Sequence, residues 1–174
     1  MFSIAVVSGQ VYIPGMDSSA VTDQTNTKPA NVVVRGNASG FLQEVVSGKH
    51  HLRGDEPASA GGGDVGPDPY DHLLASLVVC TSMTSGFYAR RNKLPLENIT
   101  VSLWHSRIYA KDCEECDTKE GMLDRIDTEI ELTGSLTAEQ HAKLMEIAAK
   151  CPVHRTFTSE INIQLRAAPK STMS

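Results

Sequence analysis

The longest apolar stretch of the chain, LLASLVVCTSMT, spans residues 73–84. It follows Asp68 and Pro69, a pair typical of a helix N-cap and the first helical position. The pattern predicts a helix that runs to about Arg90 or Arg91 and ends before the sequence NKLP. Because apolar residues cover most of its sides, we expect the helix at the centre of the domain or in an oligomer interface.

Strand patterns lie on both sides of this helix. Three short β-rich runs with Gly-containing turns precede it and form a predicted meander: Asn31–Arg35, Phe41–Val46 and Lys49–Arg53. The strand candidates after it are Ile99–Ala110, Arg125–Gly134 and, closing the chain, the alternating segment Glu160–Ala167. Alternation in the second of these places Ile126, Ile130 and Leu132 on one face.

A second helix is predicted between the last two strands. Thr137 and Gln140 have the spacing of a capping box, and the helix ends near Cys151 and Pro152. Its inner face would carry Leu144, Ile147 and Ala148. The order of elements, with strands, a central helix, strands, a helix and a strand, predicts an α+β fold.

Two segments of the chain lack a periodic pattern. Residues 17–30 are rich in Ser, Thr, Asp and Asn, and are interpreted as a flexible linker behind a possible N-terminal strand. Three consecutive glycines and three prolines in Gly54–Pro69 predict a loop, ordered or mobile. We therefore divide the chain into a partly flexible N-terminal extension, residues 1–30, and one domain, residues 31–174.

Length and charge exclude several classes of protein. A chain of 174 residues suits one domain, and a formal charge of -5 with a pI near 5.6 makes nucleic acid an unexpected partner. No apolar run approaches the roughly 18 residues that span a bilayer. The first residues carry no Lys or Arg ahead of their short apolar run, unlike a secretory signal. We expect a cytoplasmic protein without a membrane partner.

The four cysteines then become the candidate chemistry, because structural disulfides are rare in a reducing compartment. Cys80 lies mid-helix among apolar residues, where a thiol is usually inert core filler. Cys151 precedes Pro152, which can open a new helical turn and leave the thiol at an N-cap that favours a thiolate. A plain helix stop beside a solvated His154-Arg155 pair is the alternative.

Cys113 and Cys116 form a CxxC motif in a charged loop. Such a motif is half a zinc site or a redox pair, and alone it is a weak signal. His105 and Asp112 are the residues that could complete a metal set, although His105 falls in a predicted strand and can simply face solvent. Cys113 and Cys116 therefore remain weak metal candidates, and no metal or other cofactor is predicted.

Two cysteine-centred motifs, in order, resemble one known family. GPDPYDHLLASLVVCTSMT followed far downstream by AAKCPVHRTFTSEINI is similar to the OsmC/Ohr family of osmotically inducible protein C and organic hydroperoxide resistance proteins. The resemblance covers roughly Val32 to Arg166. It implies an intertwined homodimer, with antiparallel sheets around two long central Cys-bearing helices.

The resemblance also implies a chemistry. In the peroxidase members the first motif's cysteine attacks an organic hydroperoxide and the second motif's cysteine resolves the sulfenic acid as a disulfide. Carried over, Cys80 is the attacking thiol, Cys151 is the resolving thiol, and a dithiol reductant restores both.

The chain departs from the peroxidase pattern ahead of the first cysteine. The peroxidase branch has a Glu ten residues before that cysteine, paired with an Arg from the N-terminal meander. Tyr70 stands there in this chain, with Asp71 next to it, and Arg35 and Arg53 are the candidate arginines. The residues of both motifs, together with the CxxC loop, look more like those of the OsmC-like redox protein branch. Binding of an apolar small molecule, or general thiol redox chemistry without strong peroxidase activity, is the alternative function.

Overall fold

The computed structural model describes residues 5–7, 10–12 and 30–168. Within them the chain forms an α+β fold with three antiparallel sheets, as the order of elements predicts. Two strands, β1 (Ala5–Val7) and β2 (Gln10–Tyr12), make an N-terminal hairpin. The predicted linker, residues 17–30, lies outside the described residues except for Ala30.

The predicted meander is confirmed. It forms a three-stranded sheet in the order β3 (Val33–Arg35), β4 (Gln43–Ser47) and β5 (His50–Gly54). All pairings are antiparallel, and each strand begins and ends within a few residues of its predicted bounds.

The apolar stretch forms the 23-residue helix α1 (Pro69–Arg91) with the predicted bounds. The Asp68 carboxylate accepts a hydrogen bond from the Asp71 backbone N–H, and Pro69 follows as the first helical residue. Helix α1 packs against β6, α2 and α3, and its buried positions repeat every four residues: Leu77, Thr81, Ser85 and Ala89. The opposite face is exposed, so the described residues cover the helix on one side only.

The expectation that no apolar run approaches a membrane span is corrected by α1, which is long and apolar enough to cross a membrane, judged by length and composition alone. The same properties are found in the core helices of soluble proteins. Contacts with β6 and two other helices make a packed or interface helix the simpler interpretation.

Two long strands form the surface on which α1 lies. Strands β6 (Leu96–Tyr109) and β7 (Met122–Gly134) pair antiparallel along their whole length. The register sets Val101 opposite Ile130 and His105 opposite Ile126. Because side chains alternate along a strand, the predicted apolar face of β7 lies on the same side of the hairpin as His105.

The second predicted helix is present but short. Helix α2 (Ala138–Ala148) has the predicted capping box, in which the Thr137 hydroxyl and the Gln140 backbone N–H meet at 3.2 Å. A separate helix, α3 (Pro152–Phe157), begins after Cys151, which is its N-cap. The expected pair of long Cys-bearing helices is therefore corrected: α1 carries Cys80, whereas Cys151 lies at the junction of two short helices.

The predicted closing strand is not formed. Residues 160–167 contain no strand, although Ile161, Ile163 and Leu165 alternate as the sequence pattern indicates. Leu165 is 96% exposed and Ile163 is 78% exposed. A strand needs a partner edge for its backbone hydrogen bonds, and none of the described strands pairs with this segment.

The glycine-rich loop before α1 is ordered around one buried carboxylate. Asp55 accepts hydrogen bonds from the backbone N–H groups of Glu56, Gly63 and Val65 at 2.9, 3.0 and 3.3 Å. A side chain at Gly62 would collide with the Glu56 carbonyl, so the loop needs glycine there. This loop connects β5 to α1 and sets where the helix begins.

Candidate functional site

The Cys151 sulfur is fully buried where α1 meets α3. It accepts a hydrogen bond from the His154 backbone N–H at 3.2 Å, which is the N-cap arrangement that the Cys-Pro sequence predicts. A second donor, the Thr81 hydroxyl, reaches the same sulfur from α1 at 3.4 Å. Two donors from separate helices therefore converge on one thiol.

Cys80 is the residue before Thr81 on α1 and is half-buried with a free thiol. Successive residues on an α-helix point about 100° apart, so the Cys80 and Thr81 side chains diverge. Thr81 faces Cys151, whereas Cys80 lies toward the side that carries exposed Val79 and Met83. The structure thus brings the helix of one thiol to the other thiol, with Thr81 at the contact.

A groove of about 520 Å³ runs between the start of α1, the β6–β7 hairpin and α3. Its walls are largely apolar: Leu73, Leu74, Leu77, Ile126 and Phe157. A smaller cavity of about 190 Å³ shares Leu77, Thr128 and His154 with it and extends to Thr81. The two spaces are neighbours along α1, and the smaller one borders the residue that contacts Cys151.

Polar side chains stand at the outer end of this groove. The Tyr70 and His105 rings are stacked, with centroids 4.7 Å apart and planes inclined by 16°. His105 Nε2 donates to Asp124 Oδ1 at 3.0 Å, and Arg107 Nε lies 3.9 Å from the same oxygen. The stack and the hydrogen bond hold the imidazole in one orientation at the mouth of the groove.

The other supporting candidates lie outside the groove. Asp71 is exposed in the first turn of α1, and Arg35 is exposed on β3. Arg53, on β5, lines a different cavity, and its carbonyl accepts a hydrogen bond from His72 Nε2 at 3.0 Å. Neither arginine lines the space beside Tyr70 in the described chain.

Cys113 and Cys116 are joined in a disulfide, with Cα atoms 5.5 Å apart. A disulfide has no thiolate with which to bind a metal, and His105 is engaged with Asp124. Among the described residues, no three His, Cys, Asp or Glu side chains form a group that could hold a metal ion. The loop therefore carries a closed disulfide in this structure.

Sequence reasoning missed Thr81 and Asp124. Thr81 lies within the apolar stretch that predicts α1, but nothing in the sequence indicates that it meets Cys151. Asp124 is diagonal to His105 across the hairpin, and that relation depends on a register set across the loop of residues 110–121. Alternation supplies the face of each strand, but not the register between two strands separated by such a loop.

Comparisons with known proteins agree with this architecture. The family model described as OsmC-like protein matches residues 61–166. An OsmC like protein from Mycoplasma pneumoniae is 17% identical, with a TM-score of 0.58 over 76% of this chain and 89% of its own. An organic hydroperoxide resistance protein OsmC from Legionella pneumophila is 20% identical, with a TM-score of 0.52 over 72% and 86%.

An OsmC-like protein of unknown function from Vibrio cholerae is 11% identical, with a TM-score of 0.55 over 72% of this chain and 90% of its own. At these identities the solved structures show a shared fold. No curated protein sequence matches the chain.

Proposed function

Because the chain belongs to the OsmC-like protein family, we propose that it is a thiol-dependent peroxidase that reduces organic hydroperoxides. Cys80 is the attacking thiol, Cys151 resolves its sulfenic acid, and a cytoplasmic dithiol restores both. The observation that carries the proposal is the hydrogen bond from Thr81 to the Cys151 sulfur, which ties the second thiol to the helix of the first. The structural relative named for organic hydroperoxide resistance supports the choice of substrate class.

The proposed reaction balances in three steps. The Cys80 thiolate attacks the outer peroxide oxygen, the O–O bond breaks, and the alkoxide leaves as an alcohol after taking a proton. The Cys151 thiol attacks the sulfenic sulfur, a disulfide forms and water leaves. A dithiol then reduces the Cys80–Cys151 disulfide by exchange and becomes a disulfide itself.

The groove suits only the apolar tail of such a substrate; neither thiol lines it, so the peroxide group would lie beyond it, toward Cys80 on α1. Leu73, Leu74 and Leu77 supply an apolar wall that an alkyl chain would enter from water. Tyr70 replaces the Glu of the peroxidase branch, and its hydroxyl cannot form an ion pair with an arginine. The hydrogen-bonded His105 beside it supplies a proton donor or acceptor at the same end of α1.

The attack of Cys151 on the Cys80 sulfenic acid requires a local rearrangement. Cys151 is fully buried and accepts a hydrogen bond from Thr81, and Cys80 points to another side of α1. Formation of the disulfide therefore needs rotation of the Cys151 side chain or a shift of the first turn of α3. That turn belongs to a six-residue helix and is easier to displace than the long helix α1.

The protein is further proposed to act as a homodimer. Val79, Met83 and Phe87 are exposed on the side of α1 away from α2, and Met83 is 68% exposed. An open apolar cavity of about 350 Å³ lies beside them, between α1 and β6. A second copy seated here would cover this face and enclose Cys80.

The test is peroxide consumption with each thiol followed separately. Trypsin divides the cysteines among three peptides, residues 54–90, 112–119 and 151–155. We expect cumene hydroperoxide to be reduced at the cost of a dithiol, and the peptides of Cys80 and Cys151 to become disulfide-linked. Cys80→Ser should abolish turnover, whereas Cys151→Ser should stop at a sulfenic acid that dimedone traps.

The matched control is Cys113→Ser with Cys116→Ser, which should retain peroxide consumption. Failure of the wild-type protein to link its Cys80 and Cys151 peptides after peroxide treatment contradicts the proposal.

A second candidate function is binding of an apolar small molecule in the same groove. Two observations favour this function. Tyr70 and the stacked His105 stand at the mouth of the groove, and neither Cys80 nor Cys151 lines it. Native mass spectrometry of freshly purified protein would show a retained ligand, with both thiols unreactive toward peroxide. Loss of that ligand on substitution of Leu74 by Lys, with the fold intact, would assign it to the groove.

A further inference from the structure

The Cys113–Cys116 disulfide occupies the loop that joins β6 to β7, outside the groove described above. Both cysteines line a separate cavity of about 370 Å³, with Ile108 and Leu123 among its apolar walls. Neither Cys80 nor Cys151 lines this cavity.

We propose that Cys113 and Cys116 are a thiol–disulfide exchange site, a second redox centre that reacts with neutral or cationic dithiols. It is independent of the thiols assigned to peroxide reduction, so either proposal can fail without the other. The argument rests on the accessibility of the disulfide, its small structural contribution and the charge around it.

The disulfide is accessible to an attacking thiolate. Both cysteines are half-buried and border an open cavity, rather than being enclosed in the core. Exchange requires the thiolate to approach one sulfur, and a disulfide sealed inside a domain is protected from it. The cavity provides the space in which a small dithiol molecule can lie.

The disulfide contributes little to holding the hairpin together. The stabilisation from a disulfide grows with the length of the loop it closes, and only two residues lie between these cysteines. Tyr109 and Met122 are already paired, and the Ala110 N–H donates to the Gly121 carbonyl at 2.9 Å. The strand ladder thus closes the loop before the disulfide is reached, so reduction leaves the hairpin paired.

Charge selects the reaction partner. The loop segment from Lys111 to Glu120 contains five acidic residues and two basic ones, Lys111 and Lys119. Lys119 Nζ donates to the Glu114 carbonyl, and Lys111 Nζ lies 5.3 Å from the centre of the Tyr109 ring. Arg125, the basic residue of the cavity wall, is paired with Asp127 at 2.8 Å. A net negative field remains and repels an anionic thiol such as glutathione more than a neutral dithiol.

The reaction conserves atoms and electrons. A thiolate of the dithiol attacks one of the two sulfurs, the Cys113–Cys116 bond breaks, and a mixed disulfide forms. The second thiol of the reagent attacks that mixed disulfide, which releases the reagent as its own disulfide. Two electrons pass to the protein, and the two cysteines end as thiols after taking two protons.

The experiment uses the folded full-length chain and the tryptic peptide 112–119, which holds both of these cysteines and neither of the others. The protein is equilibrated with mixtures of reduced and oxidised dithiothreitol, alkylated and mapped by mass spectrometry. We expect this peptide to gain two alkyl groups along a single two-electron curve while circular dichroism stays native. The melting temperature should fall by less than about 5 °C on reduction.

Charge selectivity is measured as the rate of reduction by dithiothreitol relative to that by glutathione. We expect the ratio to shrink as salt is added, because the field is screened. Glu114→Gln with Glu115→Gln should shrink it as well. Glu129→Gln with Glu131→Gln, the same charge change on strand β7, should leave it unaltered.

Three results would overturn the proposal. One is a peptide 112–119 that resists reduction until the chain is unfolded, and another is loss of the native circular dichroism on reduction. The third is a reduced pair that does not reoxidise when the folded protein is returned to oxidised dithiothreitol. A rate ratio insensitive to both salt and the Glu114/Glu115 change would overturn the charge selection.

Discussion

Thr81 and Cys151, 70 residues apart in the chain, are joined by a hydrogen bond of 3.4 Å from the Thr81 hydroxyl to the Cys151 sulfur. Both residues are buried, and the bond connects the middle of the long helix α1 to the first turn of α3. The contact places the second motif of the sequence against the first. It therefore defines the place where chemistry between the two cysteine motifs would occur.

Replacing Thr81 with Val tests this contact. Valine keeps the β-branched shape but has no donor, so Cys151 loses the bond that holds it at α1. A net hydrogen bond is worth about 1 kcal/mol, and because disulfide formation must first break this bond, we expect peroxide-driven disulfide formation to speed up by about fivefold. Stopped alkylation and mapping of peptides 54–90 and 151–155 give the rate. Thr81→Ser should behave as the wild type; equal rates for the Val and Ser variants would contradict the prediction.

Tyr70 should matter for the groove through its ring rather than its hydroxyl. Tyr70→Phe retains the stack on His105, whereas Tyr70→Ala removes it together with part of the groove wall. We expect the affinity for an apolar fluorescent probe to fall by about tenfold with Ala and to change by less than about twofold with Phe. Fluorescence titration measures both. Equal losses in the two variants would show that the hydroxyl is the important group.

The exposed side of α1 should control the oligomeric state. Met83→Glu combined with Phe87→Glu places two charges on the face that a second copy is proposed to cover. We expect this variant to sediment as a monomer and the wild type as a dimer, because buried unpaired charges strongly disfavour an interface. Tyr109→Glu, a similar change at a residue 58% exposed near the hairpin end, serves as the control. A dimer that survives the double change removes this face as the interface.

Asp55 should be important for stability out of proportion to its size. Asp55→Ala leaves three backbone N–H groups of the glycine-rich loop without their shared acceptor. We expect a loss of about 2 kcal/mol in the free energy of unfolding, because unsatisfied buried donors are costly. Urea titration provides the value, with the exposed Asp117→Ala as the control. A loss no larger than that of the control would mean that water replaces the carboxylate.

The ionised Glu146 carboxylate should stabilise the fold, and this stabilisation should be lost at acid pH. Hydrogen bonds and charge from Lys143 and Lys150 lower its pKa from 4.5 to about 2. A depressed pKa in the folded state means that the contribution is complete above pH 4.5 and is lost as the pH falls toward 2. The melting temperature of Glu146→Gln should therefore depend less on pH between pH 4.5 and 2 than that of the wild type. Added salt should weaken the difference.

The exposed Glu97→Gln is the control for this measurement. A wild-type curve that keeps its slope in the Glu146→Gln variant would assign the acid sensitivity to other carboxyl groups.

Local patterns in the sequence are sufficient for the elements. Asp68 and Pro69 determine where α1 begins, Thr137 and Gln140 cap α2, and Pro152 opens α3 behind Cys151. Each signal works within one turn of the chain, where the N-cap or the proline ring acts on backbone groups three or four residues away. The two cysteine motifs likewise identify the family without reference to distance.

Tertiary structure decides what the separated signals do together. The contact of Thr81 with Cys151 depends on the packing angle between α1 and α3, and the His105–Asp124 pair depends on the register of β6 against β7. The closing segment shows the converse, because its alternating residues satisfy the pattern of a strand but find no edge among the described strands. Periodicity specifies which face of an element is apolar, but contacts between distant elements follow only when the whole chain has packed.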